Sequence, residues 1–206
     1  MDQNDIENIL QIVEILKKMQ HQLNEEWKKS NYPVRNLKRI YISEVWMPTS
    51  DVSSEFSIEM RAYSNLANKY SLITEMAIPD CYNIRVRAKQ QYSILAKLQK
   101  YIEKKEKGKM AICKCLNDLF GARYICNENM DYLEIFSQLN TIFENDNMVR
   151  IVKSFHGSYT AVHLYIQEEN STFPWELQIW KQEDEISNEN SHKKYKQEYA
   201  NDSKKY

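Results

Sequence analysis

Within one short run, Arg87-Ala88-Lys89-Gln90-Gln91-Tyr92-Ser93-Ile94-Leu95-Ala96-Lys97, the chain changes its rhythm, and that change limits what can be built around it. An extended segment should pass here into a helix. In the extended part, positions i and i+2 face the same way, so Arg87 and Lys89 project together. In the helical part, i and i+4 share a face, so Ser93 and Lys97 stack one turn apart. The junction therefore aims three fixed cations and a hydroxyl into one small volume. Such a concentration of positive charge is unfavourable unless an anion sits there, and a polyphosphate suits it. A solvated basic helix end fits the same spacing.

Glycine narrows the anion chemistry. The chain has only three, Gly108, Gly121 and Gly157, and they are scattered. A P-loop or a dinucleotide fingerprint is excluded, because both bring backbone N–H groups onto phosphate through clustered glycines. Phosphate bound here must be held by side chains, with arginine as a forked donor and lysine as a point charge.

The 206 residues suffice for one domain with a substantial core, and a net charge of −1 gives no overall pull toward nucleic acid or membrane. The acidic start, Met1-Asp2-Gln3-Asn4-Asp5, lacks a basic-then-apolar signal pattern, and no apolar run reaches membrane-span length. The sequence reads as soluble and cytoplasmic. Cys81, Cys113, Cys115 and Cys126 lack the density of a disulfide framework and the pairing of a zinc knuckle. Buried or half-buried reduced thiols are expected.

The apolar pattern divides the chain into an N-terminal helical region over 1–80 and an α/β region over 81–206. Ile6, Ile9, Val13, Leu16, Leu23 and Trp27 predict a helix over 5–29, ended at Asn31-Tyr32-Pro33. Phe56, Met60, Tyr63, Ala67, Tyr70 and Ile73 predict another over about 53–75, broken by Pro79. A helix should follow at 90–106 and a strand at Leu119–Cys126. Asp131 with Glu134 resembles a capping box for a helix running through Leu133, Phe136 and Leu139. Strands fit 148–155, 158–167 and 174–180, and a short helix fits 191–199. The fold class is α/β with a mixed sheet flanked by helices.

Strand sidedness selects the chemical candidates. Alternation puts Tyr159, Ala161, His163 and Tyr165 opposite Val162, Leu164 and Ile166, so the first set looks away from the core. Glu176 and Gln178 likewise oppose Leu177 and Ile179. A glutamate in such a strand is costly without a partner. Asp118 precedes another apolar strand. If Asp118 and Glu176 lie on neighbouring strands, their repulsion is relieved by a shared cation, and Mg²⁺ on a polyphosphate is the natural one. Singly, each residue has an ordinary structural reading: a turn aspartate, an edge-strand glutamate, a hydrogen-bonded histidine, a packed tyrosine.

Together they resemble the synthetase domain of the RelA/SpoT family, nucleotidyltransferase-like pyrophosphokinases, over about residues 84–200. The likeness rests on five blocks in order. These are Arg87, Lys89, Ser93, Ile94 and Lys97; Asp118 with Arg123; Ser158-Tyr159-Thr160-Ala161-Val162-His163; Glu176, Gln178 and Ile179; and His192, Tyr195 and Lys196. The resemblance implies a nucleotidyltransferase-like fold and transfer of the β,γ-diphosphate of ATP to a ribose 3′-hydroxyl. By position, Arg87, Lys89, Ser93, Lys97 and Arg123 would hold ATP, and Asp118 and Glu176 would hold Mg²⁺, with Glu176 activating the acceptor hydroxyl. Tyr159 would stack on the acceptor base, with His163 and Gln178 lining its pocket.

The sequence departs from alarmone-making members where Thr160 follows the stacking tyrosine and where Trp180-Lys181 replaces an arginine–threonine pair. The wording Phe173-Pro174-Trp175-Glu176-Leu177-Gln178-Ile179-Trp180 is most similar to toxic small alarmone synthetases. That resemblance implies the 3′ end of tRNA as acceptor and a neutralising antitoxin as partner, with GDP or GTP as the alternative acceptor. A catalytically inactive binding module is the other class of reading. Lys28 and Lys29, with the basic segment Arg35–Arg39, are candidates for contacting a tRNA acceptor stem.

Overall fold

The computed structural model describes residues 5–47, 51–103, 106–126 and 131–202, excepting the side chains of Asp51, Glu106 and those beyond Lys193. In chain order the elements are α1 (Asp5–Lys28), α2 (Ile42–Val45), β1 (Trp46–Met47), β2 (Asp51–Val52), α3 (Ser54–Ala77), β3 (Ile84–Ala88), α4 (Gln91–Glu103), α5 (Ile112–Cys115), β4 (Phe120–Cys126), α6 (Tyr132–Ile142), β5 (Val149–His156), β6 (Tyr159–Ile166), β7 (Trp175–Lys181) and α7 (Glu185–Asp202). Strands β1 and β2 form a short antiparallel ribbon. The other five form one sheet in the order β3-β4-β7-β6-β5. Only β4 and β7 run parallel; the remaining neighbours are antiparallel. This mixed sheet with helices on both faces is the expected α/β architecture, consistent with a nucleotidyltransferase-like fold.

Register decides what each face carries, since directly paired residues point to the same side. Val86, Ala122, Leu177, Leu164 and Ile151 form one row across all five strands. The row beside it, Arg87, Gly121, Glu176, Tyr165 and Arg150, points the other way. A further row, Arg85, Arg123, Gln178, His163 and Val152, shares that polar face.

Helix α1 packs on the apolar face through Ile9, Ile12, Val13, Leu16 and Leu23, all fully buried. Its polar residues fasten it there. Asn8 donates to the Tyr124 hydroxyl at 3.0 Å, and Gln20 donates to the Ile166 carbonyl at 2.8 Å. Helix α3, opened by Ser53 accepting from the Phe56 N–H, adds Phe56, Met60, Tyr63 and Ala67 to the same continuous core. Phe120 and Trp175 stack within it at 3.6 Å.

The structure departs from the sequence pattern at α6 and α7. Asp131 is the N-cap of α6, but its side chain makes no cap hydrogen bond. The buried stripe of α6 is Tyr132, Ile135 and Leu139, whereas Leu133 is 52% exposed. The C-terminal helix starts at Glu185 rather than near 191, because ion pairs and not apolar periodicity hold its first turns. Tyr195 and Lys196 lie on it, with side chains outside the described set.

Helix α7 covers the polar face. Asn188 accepts from the Thr160 N–H at 2.9 Å and donates to the Thr160 carbonyl at 2.8 Å, completing the backbone pairing of β6. Arg85 donates to Glu185 and Glu189 at 2.6 and 2.7 Å. The candidate site lies on the polar face, between α4 and α7.

Candidate active site

At one end of the polar face three charged groups interlock. Lys89, just past β3, donates to Asp118 Oδ2 at 2.5 Å. Lys97, on the second turn of α4, donates to Asp118 Oδ1 at 3.0 Å and to Asn117 at 3.3 Å. One carboxylate is thus shared by the two cations that the strand-to-helix switch was expected to converge. Ser93 sits one turn before Lys97 on the same helix face. Burial alone would raise the Asp118 pKa, but the charges of Lys97 and Lys89 outweigh it and hold the group well below the carboxylate range. Burial lowers the pKa of Lys89, while Asp118 keeps Lys97 above the ordinary lysine value despite its burial. Cys115 lies beneath them, its thiol pushed by burial up to about 12 and therefore neutral. Cys113 and Cys126 are buried as expected, whereas Cys81 is exposed.

Glu176 is the second carboxylate, and its position is central rather than at an edge. It sits on β7, flanked by β4 and β6, and is 5% exposed. His163 Nδ1 pairs with its Oε1 at 2.8 Å, and Gln178 donates to its Oε2 at 2.8 Å. Burial would raise its pKa; the His163 contact prevails and holds it below the usual value. Asp118 opposes that ionisation and Glu176 raises the pKa of Lys97, so the two carboxylates share one electrostatic volume.

Arg87 crosses Gly121 on the neighbouring strand. A Cβ at Gly121 would stand 3.6 Å from Arg87 Nε, so the absent side chain leaves the guanidinium a flat bed beside Glu176. Arg123 lies farther along the same face, donating to Gln178 at 3.3 Å from both Nε and Nη2. Burial first, and then the charge of Arg87, lowers its pKa to about 10. On the far side the Tyr159 hydroxyl pairs with His163 Nε2 at 3.0 Å. His192, reaching down from α7, places its ring 5.2 Å from that of Tyr159. Burial and the nearby arginines lower the His192 pKa to about 4, so it is neutral at physiological pH.

Arg87, Lys89, Lys97, Asp118, Arg123, Tyr159, His163, Glu176 and Gln178 therefore occupy one face. Lys28 and Lys29 stand apart, at the end of α1, where Lys28 pairs with Glu25 at 3.1 Å and Glu169 at 2.7 Å. Sequence reasoning missed the partners from α7, Glu185 and Glu189. Their only signal is i,i+4 spacing, which does not reveal that Arg85 lies opposite.

Among the described residues no cluster of three or more His, Cys, Asp or Glu side chains could hold a metal ion. A buried carboxylate, Glu176, and a half-buried one, Asp118, still fit a cation that takes its other ligands from water and phosphate, which is how Mg²⁺ binds with nucleotides. The arrangement suits a metal–nucleotide complex better than a bare ion.

Comparison with known proteins agrees with the geometry. A family model described as a region found in RelA / SpoT proteins matches residues 86–200, more than half of the chain. No curated protein matches the chain.

Proposed function

Because the chain belongs to the RelA/SpoT family of pyrophosphokinase-type enzymes, we propose that it transfers the β,γ-diphosphate of ATP to a ribose 3′-hydroxyl, with the 3′ end of tRNA as acceptor. The observation that carries this reading is the Lys89–Asp118–Lys97 group beside Glu176. Lys89 and Lys97 together neutralise the Asp118 carboxylate, and both can turn to phosphate when that carboxylate turns to a metal.

In the transfer, the bond between the β-phosphorus and the α,β-bridging oxygen breaks, and AMP leaves. A new bond forms between the acceptor 3′-oxygen and the β-phosphorus. Mg²⁺, held by Asp118 and Glu176, would neutralise charge on the transferred phosphates. Arg87 and Arg123 bind the ATP side, while Lys89, Lys97 and Ser93 fix the phosphates in line with the acceptor. Tyr159 presents a ring on which the acceptor base stacks, and His163 and Gln178 hold the Glu176 carboxylate toward its sugar. Glu176 takes the 3′-hydroxyl proton. Its lowered pKa is compatible with the task, since phosphoryl-type transfer depends on alignment and charge neutralisation more than on a strong base.

Support for tRNA comes from the 35–42 segment. Leu37 N–H donates to the Asn170 carbonyl at 2.8 Å, and Ile112 N–H to the Ile40 carbonyl at 2.9 Å. The segment carrying Lys38 and Arg39 therefore borders the sheet end where Asp118 and Glu176 lie, while Arg35 pairs with Glu59 of α3 at 3.3 Å. Lys28, paired to Glu169 in the β6–β7 connection, borders the same end. An acceptor stem lying across this rim would send its single-stranded 3′ end over the polar face, past Glu176 and toward Tyr159 at the far end of β6. An enzyme that modifies tRNA in this way would arrest translation, and an antitoxin that binds the same rim or the ATP side would neutralise it.

The test is incubation with γ-labelled ATP, Mg²⁺ and either deacylated tRNA, GDP or GTP. Label at the tRNA 3′ nucleotide supports the proposal. Label only in the guanine nucleotides would replace it with alarmone synthesis, and label in no acceptor would make the chain a binding module.

A further inference from the structure

Six side chains on the polar face close into a circuit. Trp180 Nε1 donates to the Tyr159 hydroxyl at 3.3 Å, and that hydroxyl pairs with His163 Nε2 at 3.0 Å. The chain continues through His163 to Glu176 at 2.8 Å and from Glu176 back to Gln178 at 2.8 Å. Gln178 accepts from Arg123 at 3.3 Å, and the Arg123 guanidinium lies 3.4 Å from the centroid of the Trp180 ring. The members come from β4, β6 and β7, so local sequence does not impose the closure.

Trp180 is the one member that touches both the tyrosine and the arginine. It does so with two different parts of one side chain. The indole N–H lies in the ring plane and donates, while the π face attracts a cation. No other side chain combines a fixed in-plane donor with so strong a cation-binding face. Trp180 is also fully buried, and His192 packs beside it at 5.5 Å, so the indole has little freedom to leave either contact. An arginine at this position would face Arg123 with like charge and could not serve the same purpose.

Resting on the reading above, in which Tyr159 meets the acceptor and Arg123 the ATP, we propose that Trp180 is a positioning residue. It sets the distance between the acceptor platform and the donor-side guanidinium. Its N–H locks the tyrosine and its ring face locks the arginine, so the two functions can be removed separately.

The experiment uses the full chain with Trp180→Phe and Trp180→Leu, measuring label transfer to the acceptor and calorimetric binding of α,β-methylene-ATP with Mg²⁺. Phenylalanine keeps a ring face and loses the donor. It should raise the acceptor KM about three- to tenfold, as loss of one hydrogen bond does, and leave the analogue Kd within about twofold. Leucine loses both contacts and should also weaken the analogue by about fivefold. An unchanged acceptor KM in Trp180→Phe overturns the proposal, even if Trp180→Leu fails to fold. So does a uniform fall in kcat that follows melting temperature, with both KM values constant. If the wild-type protein binds the analogue but labels no acceptor, the pyrophosphokinase reading fails by itself. The analogue arm then still decides, because Trp180→Leu binding as tightly as wild type would overturn the role of Trp180.

Discussion

Glu176 and Leu177 are consecutive residues of β7, both buried, and they face opposite sides of one sheet. On the side of Leu177, five apolar residues in register pack beneath α1, α3 and α6, and the gain is the removal of hydrocarbon from water. On the side of Glu176, neighbouring rows carry Arg85, Arg87, Arg123, Arg150 and His163. That face is held by hydrogen bonds and ion pairs whose members each lose hydration. The difference teaches where function sits. A fold could cover both faces with hydrocarbon more cheaply; the helical side buries only the scattered acids Asp5 and Glu59, whereas charge gathered in register around Glu176 is what a face used for a charged ligand should carry.

Substitutions that separate the two faces test this contrast, beginning with the largest expected effect. Glu176→Gln, measured by label transfer from γ-labelled ATP, should lower turnover by at least about 10²-fold while leaving the apolar core intact. Leu177→Ala should do the reverse. It should cost about 2–5 kcal/mol of stability in urea unfolding, with kcat nearly unchanged in the folded fraction. Equal effects of the two on both readouts would erase the distinction. Lys97→Met comes next. It removes one of the two cations on Asp118, and calorimetry should find ATP affinity lowered about tenfold.

A smaller effect concerns pH. His192 has a folded pKa near 4 against an ordinary 6.5. Between these values the unfolded chain binds the extra proton, so stability is complete above pH 6.5 and declines as pH falls toward 4. The loss should be on the order of 2–3 kcal/mol in unfolding experiments, and His192→Phe should flatten the profile over that window. The least disruptive change is charge reversal at Lys28 and Lys29. Exposed pairs contribute little, so the urea unfolding midpoint should stay where it is in the wild type. Labelling of tRNA should drop while any labelling of GDP or GTP stays constant; equal labelling of tRNA would remove these lysines from the acceptor surface.

Much of the polar face is legible in the sequence because period-2 alternation reports sidedness directly. Tyr159 and His163 oppose Val162 and Leu164 as the alternation requires, and Glu176 and Gln178 oppose Leu177 and Ile179. The convergence of Lys89 and Lys97 follows from a strand passing into a helix at Gln91, although their shared partner Asp118 comes from a distant segment. Periodicity fails where two stripes overlap. In α6 both Leu133–Phe136–Leu139 and Tyr132–Ile135–Leu139 look apolar, and only packing against β5 and β6 selects the second. It fails again for the first turns of α7, whose hold on the sheet is Glu185 and Glu189 against Arg85. The Arg123–Trp180 contact depends on β4 lying parallel beside β7 in one register, which neither strand specifies alone.

The most direct measurement of the central claim is the nucleotide product formed from ATP in step with acceptor modification, compared between wild type and Glu176→Gln. Wild type should yield one AMP per diphosphorylated 3′ end, and the variant neither product. ADP in place of AMP, or equal yields from both proteins, would contradict that claim.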